Sequence, residues 1–200
     1  MSPLNQSAVV ALAYALGCLS PGYWLVRFRK GGDIRLQGSG ATGATNAGRA
    51  LGTSGFATVL ALDIAKGAIA VLVARLAHGG EFLEHLCAIA VLLGHIWPVT
   101  LGFRGGKGIG PMLGAWLVIA PLHLIPGAAV MLMVLPFFRF TIAGLIGLAA
   151  VPALSVYLNT DPRCASIALA CYALVLIAHR GHLRRWRDGS RFQSQSTQKP

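Results

Sequence analysis

Acidic side chains are nearly missing from this chain: in 200 residues, six Asp and Glu stand against 17 Lys and Arg, and charged residues of both signs make up only 12%. So little charge cannot coat a water-soluble globule, and 55% hydrophobic residues with a mean hydropathy of +0.65 point to lipid as the solvent. Cysteine is also sparse. Cys18, Cys87, Cys164 and Cys171 are scattered through apolar runs without close pairing, so neither a disulfide framework nor a metal site is indicated. No basic region precedes the first apolar run, which is too long for a signal core and is expected to stay as a membrane helix. The basic residues carry no base-stacking module, so the net charge of +11 is not read as a nucleic-acid footprint.

What the chain has in quantity is apolar runs. A transmembrane helix needs about 20 apolar residues, and candidate spans are Leu4–Val26, Ser54–Leu76, Phe82–Val99, Gly108–Pro121, Leu122–Phe138, Thr141–Leu158 and Cys164–Ala178. The expected fold is all-α, a polytopic transmembrane helical bundle of about seven spans. The fourth and fifth runs are short and meet near Pro121, so one long kinked helix with a re-entrant end is the alternative there. No strong internal repeat divides the chain. Residues 1–189 are expected to form one membrane domain, and 190–200, rich in Gln and Ser, a flexible cytoplasmic tail. Seven alternating crossings put fourteen of the 17 basic residues on one side; only Arg75 and Arg163 fall on the other, and Lys66 lies inside the second span. Lysine and arginine concentrate on the cytoplasmic side, so the N-terminus is expected outside and the C-terminus inside.

Three polar segments interrupt or end these runs: GSGATGATNAGR (Gly38–Arg49), GFRGGKG (Gly102–Gly108) and HRGHLRRWRDG (His179–Gly189). Together they read as one anion site at a membrane surface, with phosphate as the anion. In the first, glycines allow close backbone approach and Ser39, Thr45 and Asn46 add donors. In the second, Gly105 and Gly106 precede Lys107 and an apolar helix, so that amides, a positive helix end and an ammonium converge. It is no Walker loop, because Lys107 is followed by Gly108 and no hydroxyl is placed for magnesium. Read singly, the first segment is equally a connection and the second a positive-inside anchor. His179 and His182 share a helical face, but without a carboxylate they make a poor metal site. Arg184, Arg185 and Arg187 beside them also suit acidic lipid. Asp63 and Lys66, three apart on one helix, read as a structural ion pair, and His95 as support.

In order along the chain, LSPGY (Leu19–Tyr23), GSGATGATNAGRALG, LDIAKG (Leu62–Gly67), GHIWPVTLGFRGGKG (Gly94–Gly108) and HRGHLRR resemble the bacterial acyl-phosphate:glycerol-3-phosphate acyltransferase family, PlsY. The resemblance implies a seven-span enzyme of the bacterial inner membrane with its active site facing the cytoplasm. It implies transfer of a fatty acyl group from acyl phosphate to the 1-hydroxyl of glycerol 3-phosphate, giving lysophosphatidate for phospholipid synthesis, without cofactor or metal. The partners it implies are these two substrates, membrane lipid and an enzyme supplying acyl phosphate. Position by position, Thr45, Gly105, Gly106 and Lys107 would line the pocket for the donor phosphate. Ser39, Arg49, Lys107 and His179 would bind glycerol 3-phosphate or act at the reaction centre, with Asn46 and His182 as further substrate contacts. The acceptor proton would pass to a donor phosphate oxygen or to His179. The chain departs from the family pattern at Ala41 (usually Asn), Thr42 (Pro), His182 (Asn) and Arg191 (Glu). A transporter of a phosphate-bearing solute and a non-catalytic relative binding lipid or a partner enzyme are the alternatives.

Overall fold

The computed structural model describes residues 1–158 and 161–187, with side chains described to residue 183. The expected tail, Arg191 and the side chains of Arg184, Arg185 and Arg187 lie outside the described residues. Nine α-helices account for most of what is described: α1 Pro3–Cys18, α2 Pro21–Lys30, α3 Ala44–Leu76, α4 Gly80–Ile96, α5 Ile109–Ile119, α6 Leu124–Val134, α7 Phe140–Leu148, α8 Ala150–Tyr157 and α9 Pro162–Arg187. No strand occurs among the described residues.

Five stretches are long and apolar enough to cross a membrane: Pro3–Lys30, Ala44–Leu76, Gly80–Leu101, Phe140–Tyr157 and Pro162–Leu183. Helices α5 and α6, of 11 residues each, reach only about 16 Å, roughly half the hydrocarbon thickness. They are separate, because Pro121 opens a 3-10 turn, Pro121–His123, between them.

Three boundaries differ from expectation. The first span breaks after Cys18, since Pro21 cannot donate to the turn before it, and resumes as α2 as far as Lys30. The second begins at Ala44 rather than Ser54, which turns half of the glycine-rich segment into helix, and breaks instead at Gly52 (φ 74°, ψ −167°). The sixth divides at Ala149 into α7 and α8.

Helices in lipid gain nothing from hydrophobic exclusion of one another, so close packing decides which ones pair. Small residues make that packing. A Cβ on Gly114 would strike the Ile64 carbonyl and one on Gly67 the Pro111 carbonyl, so only glycines let α5 lie this tightly on α3. Gly17 and Gly94 play the same part between α1 and α4. A core of Val71, Leu92, Met112, Trp116, Leu145 and Val175 joins α3, α4, α5, α7 and α9. Large apolar side chains such as Leu4, Leu132, Met133 and Phe137 stay exposed, as a lipid-facing surface requires.

Candidate active site

Between α2 and α3 the chain has little regular structure, and two polar side chains hold it. Arg35 forks onto Asp33 (Nη2 to Oδ2 2.7 Å) and donates from Nη1 to the Leu101 carbonyl at 2.7 Å, tying this segment to the turn after α4. The guanidinium bonded to Asp33 holds that carboxyl below the usual carboxylate range. Asn46, buried in the first turn of α3, donates from Nδ2 to the carbonyls of Ile34, Gln37 and Ala41 at 3.0–3.1 Å and accepts from the Ser39 amide at 3.1 Å. Expected as a substrate contact, its amide is spent on the loop. It fixes where Ser39 sits.

The Gly102–Gly108 segment folds back on the end of α4. The Gly105 amide donates to the Ile96 carbonyl (3.2 Å) and the Gly106 amide to that of His95 (2.9 Å), while the Gly105 carbonyl accepts from the Thr42 amide (3.2 Å). The expectation of free amides at Gly105 and Gly106 therefore fails; these glycines stand behind the cavity wall, not on it. Their lack of a side chain serves packing, since a Cβ on Gly106 would collide with the His95 imidazole and one on Gly105 with the His95 carbonyl. The chain reaches Lys107 and then Gly108, whose φ of 91° turns it into α5.

Beneath this loop lies a buried polar knot. Lys66 Nζ bonds Asp63 Oδ1 (2.9 Å), as the spacing suggested, and also reaches His95 Nδ1 (2.8 Å) and the carbonyls of Gly17 (3.2 Å) and Leu19 (2.7 Å). The ammonium thus caps the open end of α1 where the first span breaks. Sequence reasoning missed this role. Its only trace was the coincidence of a proline-broken span with a lysine inside the next one.

One cavity of about 340 Å3 collects the rest. Its mouth is lined by Ser39, Thr45, Arg49, Lys107, His179 and His182, contributed by the loop before α3, the first turns of α3, the approach to α5 and the end of α9. Past Asp63 and His95 the lining of the same cavity becomes apolar, with Leu113, Met131, Leu148 and Val151, and the exposed Phe140 at its edge. Buried His179 has Nδ1 at 2.8 Å from the Val175 carbonyl, an acceptor only, so Nδ1 carries the proton and Nε2 is left as an acceptor. A cationic, hydroxyl-bearing mouth above a greasy chamber suits an anionic head on a hydrocarbon tail. Of the nine residues expected at the site, six stand at this mouth, Asn46 supports it, and Gly105 and Gly106 brace its back.

Comparison with known proteins agrees in both sequence and shape. A family model described as glycerol-3-phosphate acyltransferase matches residues 7–189. Glycerol-3-phosphate acyltransferase 1 of Desulfitobacterium hafniense is 45% identical over 180 residues, covering 89% of each chain. The glycerol-3-phosphate acyltransferase of Geobacter sulfurreducens is 35% identical, covering 94% of this chain and 96% of its own. The crystal structure of PlsY, an integral membrane glycerol 3-phosphate acyltransferase, in its glycerol 3-phosphate form superposes with a TM-score of 0.86 at 30% identity over 92% of this chain and 93% of that one. Its lysophosphatidic acid form gives 0.83 at 28% identity with the same coverage.

Proposed function

The chain belongs to the glycerol-3-phosphate acyltransferase family, and from that membership we propose that it moves a fatty acyl group from acyl phosphate to the 1-hydroxyl of glycerol 3-phosphate, releasing lysophosphatidate and phosphate. The observation that carries this reading is a cavity that joins cationic and hydroxyl-bearing side chains to an apolar lining. An acyl phosphate is a mixed anhydride and already activated, so the protein needs only to hold two anions together and stabilise the charge growing on the carbonyl oxygen. The hydroxyl oxygen attacks the carbonyl carbon, the tetrahedral oxyanion collapses, and the bond from carbon to the phosphate oxygen breaks. Phosphate leaves with the hydroxyl proton. Lys107 and Thr45 hold the donor phosphate, Arg49, Ser39 and His182 hold the acceptor, and His179 takes the hydroxyl proton at Nε2 as the C–O bond forms and passes it to the departing phosphate. The scheme balances without a metal, a cofactor or an acyl-enzyme.

The cavity mouth shares its end of the bundle with Arg27, Arg29, Lys30, Arg35 and Arg104, which favours an inner-membrane protein with its site toward the cytoplasm. Single cysteines at Ser2 and Ser196 should then label from opposite sides of intact cells; labelling from one side overturns the orientation. The donor is amphiphilic and prone to hydrolysis, so the enzyme that makes it is expected to deliver it at this basic face.

Purified protein in micelles, given acyl phosphate and glycerol 3-phosphate, should release lysophosphatidate and phosphate in equal amounts. A folded protein that binds both and transfers nothing is a non-catalytic relative, and one that only moves phosphate solutes across proteoliposomes is a transporter. Either result overturns the proposal.

A further inference from the structure

The opposite end of α4 and α9 holds a second group of reactive side chains. Glu81 and His85 lie one helical turn apart on α4, and Cys164 lies in the first turn of α9; one ligand atom from each sits within 4.8 Å of the others. Counting along α4 puts this group about 15–20 Å from His95, while His123, which lines the far part of the cavity, stands on the His85 side. His85 and Cys164 are both 1% exposed, whereas Glu81 is open to solvent.

Three observations point to a cation. His85 Nδ1 is hydrogen-bonded to the Glu81 carbonyl at 2.9 Å, so its proton lies there and Nε2 offers its lone pair; a backbone carbonyl behind an imidazole is the usual support of a metal-ligating histidine. Trp116 meets the ring edge-on with centroids 6.0 Å apart, holding its plane. Finally, both arginines at this end are engaged, Arg75 with Glu84 at 2.6 Å and Arg163 with Asp161 at 2.8 Å. Among the described residues no ion pair or hydrogen bond compensates the Glu81 carboxylate.

We propose that Glu81, His85 and Cys164 form a site for a zinc-class divalent cation that staples the start of α4 to the start of α9, at the opposite end of these helices from Lys107 and His179. Thiolate, imidazole and carboxylate are the ligand set of tetrahedral zinc, with the fourth position open to water. Bond lengths of about 2.0 to 2.3 Å require ligand atoms about 3.3 to 3.8 Å apart. Exposed Glu81 is the arm that moves to close the set. The thiol loses its proton to solvent as the metal–sulfur bond forms.

The test uses the full chain in micelles, stripped with a chelator and titrated with Co2+ and then Zn2+ alone. One Co2+ should bind per chain with a thiolate-to-cobalt charge-transfer band, Zn2+ should displace it, and the melting temperature should rise with Zn2+. Cys164→Ser, nearly isosteric, should abolish the band, and Glu81→Gln, on an exposed side chain, should weaken Zn2+ at least tenfold. Acyl transfer by both variants should match the parent, which separates this site from the cavity. Absence of the band in the parent chain, or equal Zn2+ affinity in Cys164→Ser, means an adventitious ion only and overturns the proposal.

Discussion

Asn46 and Lys107 line the same cavity, yet truncating them should fail in different ways. Asn46→Ala orphans the Ser39 amide and the carbonyls it served, at about 1–3 kcal/mol for each buried group left unsatisfied. Its thermal midpoint in micelles should fall together with activity. Lys107→Ala removes one charge-assisted substrate contact worth about 1.5–3 kcal/mol, so kcat/KM should drop about 10- to 150-fold, with a smaller shift of the melting curve than Asn46→Ala gives. An Asn46→Ala protein of parental stability would contradict its role in holding the loop before α3. At this scale the sequence was half legible. The types and spacing of Ser39, Thr45, Asn46 and Lys107 suggested anion chemistry, and the family resemblance added Arg49 and His179, but whether a polar group faces a ligand or its own backbone depends on where the loop folds. Composition could not show that Asn46 and the amides of Gly105 and Gly106 were already occupied.

Elements take their positions from a few buried contacts. Lys66 joins three of them, capping the end of α1, pairing with Asp63 on α3 and touching His95 on α4. Lys66→Met keeps the length of the side chain but takes the ammonium from the buried Asp63 carboxylate and leaves it with His95 Nδ1 at 3.5 Å, which should cost about 3–5 kcal/mol. Thermal denaturation in micelles measures this; a loss below about 1 kcal/mol, the size of an exposed pair, would show the knot to be solvated. Hydropathy revealed the long spans because lipid imposes length and apolarity on them. It was blind to breaks set by backbone geometry. Pro21 signalled one break, whereas Gly52 looked like any other glycine in a segment full of them, and the early start of α3 was hidden by residues that favour loops.

Across the whole molecule, the cavity sets which donor fits. Gly144 lines it, and a Cβ there would meet no atom within 4 Å, so Gly144→Leu projects a side chain into open space without straining the fold. The variant should favour shorter acyl phosphates, with the rate ratio of a short to a long donor rising severalfold and glycerol 3-phosphate KM unchanged. An unaltered chain-length profile would place the acyl tail elsewhere. The polar mouth could be anticipated from three segments far apart in sequence, but the apolar chamber could not. It arises from how short helices α5 and α6 pack beside α7 and α8, and no local pattern encodes that gap. The proximity of Cys164 to His85 was hidden for the same reason.

The break at Gly52 has a mechanical consequence. A 33-residue helix in a bilayer thinner than its apolar length relieves the mismatch by tilting, and a rigid rod would swing Arg49 away from Lys107 as it leaned. With the joint at Gly52, a backbone geometry that only glycine adopts easily, the membrane portion of α3 can lean while its first two turns stay seated against the loop. Turnover should therefore vary little between short- and long-chain phosphatidylcholine vesicles. In Gly52→Ala it should become dependent on bilayer thickness, so that the joint acts as a suspension for the reacting groups in a membrane whose lipids the enzyme itself helps to make.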